Sequence, residues 1–270
     1  MSSLEAIIYG IIQGLSEFLP VSSSGHLALL PYLMKIKDPG VVFDLMMHLG
    51  TALAVVFYFR KDIFSYAKTF TPDLVNLKQG TPAQWFTRNF IVATSVSVVL
   101  IVTLIPLSKL ARDPNIIVFN LVVFGAILWI ADEMNRRKTQ LLDSPMETKM
   151  QWKLAALLGV AQALAIFPGV SRSGITLSMA LILGMRKREA GAFSFLMSLP
   201  IIIAGILKEV PDLMNAENER LITLFWGIAT SFIVGWLTIH FFMKLIGTIR
   251  LGYFAVYRWA LAILMLVMLS

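Results

Sequence analysis

The sequence predicts an all-α integral membrane protein, an inverted-topology repeat in which each half is a re-entrant helix hairpin plus three transmembrane helices. Three observations predict it. Of 270 residues, 57% are hydrophobic and 14% charged, with a mean hydropathy of +0.77, far outside the usual range of a soluble domain. Shifting the chain by 149 residues lays GIIQGLSEFLPVSSSG (10–25) over GVAQALAIFPGVSRSG (159–174) with 8 identities in 16 positions. Three apolar spans then follow each copy, an odd number that places the second copy on the opposite side of the bilayer from the first.

The elements follow in chain order. In each copy an apolar stretch of about 11 residues, roughly half a bilayer, runs into Pro, Ser and Gly before a second apolar stretch. Non-helical backbone at membrane depth is tolerated only when buried in protein or lining a wet cavity. The two breaks are therefore expected to face each other across one polar interior. After the first hairpin the spans lie near 40–60, 89–109 and 115–133, and after the second near 190–208, 221–245 and 252–269. Segment 61–88, with Pro72 and Pro82, reads as a loop, and Trp85, Trp129, Trp152 and Trp259 read as interfacial anchors. The whole chain, 1–270, is expected to form one transmembrane domain from repeats of about 1–135 and 150–270.

Charge gives the orientation. The net charge of +7 belongs to loops of a membrane protein rather than to a nucleic-acid surface. The segments that this topology places on one side hold 15 of the 23 Lys and Arg, and those on the other hold 6. The richer side is cytoplasmic by the positive-inside rule, so both termini and the mouth of the site are expected to face outward. The N-terminal segment MSSLEAIIYG lacks a basic start and a small-residue cleavage site, and reads as uncleaved. The absence of cysteine excludes disulfides and thiolate chemistry.

Ionisable side chains at membrane depth are costly and usually functional. Glu17 is the only formal charge between Glu5 and Lys35, and Gln13 lies one turn before it on the same face. The two can share a cation. Past the turn, Ser22, Ser23, Ser24 and Gly25 open a helix whose N-terminus suits an anion, with one serine serving as cap. His26 is placed to act as base toward Ser23, the candidate nucleophile. Arg172 is the strongest single signal, because its guanidinium can hold two phosphate oxygens at once. Ser171, Ser173 and Thr176 flank it as phosphate donors or helix caps. Asp44 and His48, one turn apart, either line the cavity or serve packing.

The strings GLSEFLPVSSSGH and PGVSRSGIT resemble the two signature motifs of the undecaprenyl-pyrophosphate phosphatase family, the bacitracin-resistance type of bacterial inner membranes. The resemblance covers the chain in length and span pattern. It implies hydrolysis of the C55 lipid diphosphate to the monophosphate and inorganic phosphate, recycling the carrier for cell-wall synthesis. It also implies a divalent cation, Mg2+ or Ca2+, and active residues Glu17, Ser23, His26, Arg172 and Ser173. Many relatives carry Glu where this chain has Gln13, so one candidate metal ligand is neutral here. The attacking group, whether Ser23, His26 or a water, stays open. Expected partners are the polyprenyl diphosphate, membrane lipids and a second copy of the chain. A transporter or flippase of a lipid phosphate is the rival reading, since inverted repeats with broken helices are also a transporter architecture.

Overall fold

The computed structural model describes residues 2–71, 80–111, 113–137, 152–214 and 218–269. Among these residues every regular element is a helix: α1 (Ser3–Ser16), α2 (Ser23–Met34), α3 (Val41–Tyr58), α4 (Arg60–Ala67), α5 (Pro82–Leu110), α6 (Pro114–Arg137), α7 (Trp152–Leu164), α8 (Arg172–Ile182), α9 (Lys187–Met214), α10 (Asn218–Leu245) and α11 (Gly252–Leu269). The all-α membrane expectation holds. Five of the helices, α3, α5, α6, α9 and α10, are long and apolar enough to cross a bilayer, whereas α11 is apolar but shorter. The helices α1, α2, α7 and α8, of 14, 12, 13 and 11 residues, reach about half to two-thirds of a hydrocarbon core.

Several boundaries have a local cause. Ser2 and Glu5 form a capping box at the start of α1. The segment read as a loop is shorter than expected, because α4 continues from α3 after a break at Phe59 and α5 begins at Pro82. Proline is suited to the first turn, where its missing N–H costs nothing, and Thr81 with Gln84 completes a second capping box. Pro72 lies outside the described residues. Of the four tryptophans, Trp129 and Trp152 are exposed as anchors should be. Trp85 is instead buried, with the Arg88 guanidinium over its ring at 4.4 Å.

The halves interlock. Helix α1 packs on α10, and α7 packs on α5. A methyl added at Gly10 would strike the Gly227 carbonyl and Thr230, and one added at Gly159 would strike the Ala93 carbonyl and Val96. Gly10 and Gly159 match under the 149-residue shift, and Ala93 and Val96 match Gly227 and Thr230 under a shift of 134. Small residues let these backbones approach closely, which is how helices gain contact where lipid offers no hydrophobic drive. One core cluster joins Phe18 of the first turn to Leu177, Phe193, Phe195 and Phe242 of the second half, and Gly169, Val170 and Ser171 of the second turn are buried as well.

Candidate active site

The two breaks, residues 17–22 and 165–171, carry the same backbone device. Ser22 sits at φ 74°, ψ 91° and Ser171 at φ 70°, ψ 107°, a region that non-glycine residues avoid. Each caps the helix that follows it. The Ser22 hydroxyl accepts from the Gly25 amide at 3.3 Å, and the Ser171 hydroxyl accepts from the Gly174 amide at 3.1 Å. Strained backbone of this kind persists only where its surroundings over-determine it. Here the surroundings are the opposite turn: the Gly169 amide donates to Ser24 Oγ at 3.2 Å, and Ser173 Oγ donates to the Leu19 carbonyl at 3.0 Å.

This docking brings Glu17 and Arg172 together. Arg172 Nη2 donates to Glu17 Oε1 at 2.6 Å, and its Nη1 donates to the Ser194 carbonyl on α9 at 2.9 Å. The other carboxylate oxygen, Oε2, accepts from Ser23 Oγ at 2.8 Å and Gln13 Nε2 at 2.9 Å, and lies 3.3 Å from His48 Nε2. One buried carboxylate therefore stands at the centre of donors from α1, α2, α3 and α8. The group faces a cavity of about 280 Å³ lined by Glu17, Ser23, His48, Ser171, Arg172 and Ser198. A larger cavity of about 850 Å³ adjoins it, with Leu27, Pro31, Tyr32 and Met265 in its wall. Ser24, Leu45, His48 and Ile166 belong to both.

The structure brings Glu17, Ser23, Gln13 and Arg172 to one point, but not His26. The expected Ser23–His26 hydrogen bond does not form. His26 Nδ1 pairs with the Ser22 carbonyl at 2.8 Å, and Nε2 pairs with the Tyr257 hydroxyl at 2.7 Å, with the two rings stacked. Both ring nitrogens are thus engaged away from Ser23, whose proton points to Glu17. The amides of Gly25 and Gly174 are taken by the serine caps rather than offered to a ligand. Ser173 ties one turn to the other, and Thr176 Oγ1 bonds the Arg172 carbonyl at 2.7 Å and Ser194 Oγ at 2.6 Å. Thr176 therefore stands behind Arg172, next to the residue whose carbonyl orients the guanidinium.

Two residues carry more than their sequence positions suggested. His48 reaches Glu17 from α3. Arg258, which falls within the expected span 252–269, is fully buried on α11 and donates to the carbonyls of Gly169 and Val170 at 2.8 and 3.0 Å, and to those of Leu121 and Asn120, both at 3.3 Å. Asn120 in turn donates to the Pro168 carbonyl at 2.7 Å. Helices α6 and α11 thus clamp the turn that precedes Arg172. No sequence periodicity marks a carbonyl-bound arginine, but its presence in a span was the signal.

The fold and the site define a polytopic helical membrane protein with a buried, charged centre at the meeting of two broken hairpins. Residues 6–264 match the family described as bacitracin resistance protein BacA. The chain is 36% identical over 277 residues to "Undecaprenyl-diphosphatase 2" of Stutzerimonas stutzeri (strain A1501), covering 100% of this chain and 99% of that protein. It is 37% identical over 270 residues to "Undecaprenyl-diphosphatase" of Marinobacter nauticus, covering 97% of each. The chain belongs to the BacA family.

Proposed function

We propose that this chain is an undecaprenyl-diphosphate phosphatase, releasing inorganic phosphate and returning undecaprenyl phosphate as the lipid carrier of cell-wall precursors. The observation that carries this reading is the Glu17 carboxylate, which accepts the Ser23 hydroxyl on one oxygen and the Arg172 guanidinium on the other. The names of the full-length relatives agree with it. None of the observations favours transport of a lipid phosphate over its hydrolysis.

Phosphoryl transfer asks chiefly for positioning and charge neutralisation. Arg172 holds oxygens of the terminal phosphate with its planar fork, oriented from behind by the Ser194 carbonyl. Ser23 Oγ attacks the terminal phosphorus as its proton passes to Glu17, and the bond to the bridging oxygen breaks, releasing the lipid monophosphate. Water then cleaves the Ser23 phosphoester, which returns the hydroxyl and frees phosphate. His26, paired with Tyr257, braces the Ser22 carbonyl at the strained cap instead of acting as the base. The larger cavity, walled by Leu27, Pro31 and Met265, has the character to take the first apolar units of the prenyl chain.

A divalent cation, Mg2+ or Ca2+, fits the site in one mode. Gln13 Oε1 is buried beside Glu17 with no hydrogen-bond partner, an orphan oxygen next to a carboxylate. Among the described residues no group of three or more His, Cys, Asp or Glu forms a closed cage. Glu17 and Gln13 would therefore hold a cation that takes its remaining ligands from water and the diphosphate, the habit of magnesium in particular. Its contribution is to neutralise phosphate charge.

Purified protein in detergent with Mg2+ or Ca2+ is expected to release phosphate from a long-chain prenyl diphosphate, and no release with any divalent cation would sink the reading. We place the protein in a bacterial inner membrane with termini and site mouth on the periplasmic side, on the strength of the 15 to 6 division of basic residues. A single cysteine at Ser3, in a chain that otherwise has none, should react with an impermeant maleimide from outside. Labelling only from the cytoplasmic face would overturn the orientation.

A further inference from the structure

We infer that His48 is a positioning residue of the phosphatase site, whose imidazole N–H holds the Glu17 carboxylate in the orientation that receives the Ser23 proton. The inference rests on the roles given above to Glu17 and Ser23, and it concerns a residue on α3 that lies in neither signature motif. His48 Nδ1 sits 2.7 Å from the Asp44 carbonyl one turn earlier. A backbone carbonyl and an ionised carboxylate both only accept, so with Asp44 at one end and Glu17 at the other both ring nitrogens donate, His48 stands as an imidazolium, and the ring is locked about its torsions. The lock aims Nε2 at Glu17 Oε2, 3.3 Å away, the same oxygen that accepts from Ser23 and Gln13.

The need for this contact comes from Arg172. In the structure Arg172 fixes Glu17 through Oε1, yet the same guanidinium must turn to the substrate phosphate. Once it does, nothing on α8 orients the carboxylate, whose terminal torsion is broad and offers little intrinsic preference. Gln13 and Ser23 cannot supply a fixed reference: Gln13 stands on the same helix one turn back and ends in a similarly loose amide torsion, and Ser23 is the group that reacts. His48 comes from a separate helix and its ring is held at both ends. It also forms part of the wall shared by the two cavities, so it stays in contact with the chamber in which the carboxylate works.

Three substitutions separate this role from packing. The amide nitrogen of glutamine reaches about where imidazole Nε2 lies, whereas that of asparagine reaches only as far as Nδ1 and leucine offers no donor. His48→Asn and His48→Leu are expected to lower kcat by about 100-fold while KM stays within about threefold, as loss of alignment without loss of binding requires. His48→Gln should recover most of the loss, to within about fivefold of wild type, with melting temperatures in the same detergent alike for all three. Equal rates for the Gln and Asn variants, a loss carried by KM, or unfolding of both the Asn and Leu variants would each assign a packing role and overturn the inference. Wild-type turnover without the expected order sinks His48 alone, whereas absence of wild-type turnover sinks the function itself.

Discussion

Arg172→Ala is expected to lower phosphate release by about 10³-fold or more while the protein stays folded, because a single preorganised donor in an anion site commonly contributes 10² to 10³ and this residue supplies two. The structure explains why the fold survives. Breaking a buried ion pair can cost about 3–5 kcal/mol by stranding one charge, but Glu17 keeps Gln13, Ser23 and His48 as donors after Arg172 is gone. Helical circular dichroism and elution from a sizing column should match wild type. Arg172→Lys is the informative companion: an ammonium preserves the charge yet cannot span the Glu17 carboxylate and the Ser194 carbonyl at once. Near-normal turnover in the alanine variant would refute the clamp.

Ser23→Ala carries the second large effect. If the Ser23 hydroxyl attacks phosphorus, its removal leaves no nucleophile on the protein at that point, and turnover should fall to the residual level that binding alone provides, about 10³-fold or more below wild type. A brief incubation with substrate labelled in the terminal phosphate should leave label on wild type at Ser23 and none on the variant. Turnover persisting at a few per cent, with no labelled protein, would point to a water as the attacking group. Glu17 would then serve that water, since its Oε2 already faces the position of the lost hydroxyl.

Much of this was legible in the chain because the bilayer is an unforgiving solvent. A charge such as Glu17 or Arg172 within an apolar run has few explanations, and the repeat supplied the pairing of two breaks that no local pattern would give. The same reasoning failed at short range around the helix N-termini. His26 follows Ser23 by three residues, so sequence spacing put them on one face, but the ring turns back to the Ser22 carbonyl and to Tyr257, 231 residues away. Residues from other helices were less legible: His48 read as cavity wall or packing, and it does line the cavity, but its link to Glu17 had no sequence signal, and Arg258 was no more than a basic position in a span. Their partners are backbone carbonyls and a distant carboxylate, and backbone acceptors leave no trace in composition. Trp85 misled for a related reason, since an aromatic near a span end can anchor to lipid headgroups or, as here, lie under a neighbouring arginine.

The interlocked packing sets an order on biosynthesis. Helix α1 leaves the ribosome about 200 residues before the helix it packs against, α10 (Ser3–Ser16 against Asn218–Leu245). Glu17 likewise waits for Arg172, which follows it by 155 residues. At about 5–20 residues per second the interval is about 8–30 s, during which the first hairpin must sit in or beside the translocon with its carboxylate lacking the Arg172 partner. Protonation of Glu17, or shelter by an insertase with a polar interior, would bridge that delay. The Glu17–Arg172 pair is thus also one of the late contacts that join the two halves of the nascent protein, followed by the docking of α10 on α1.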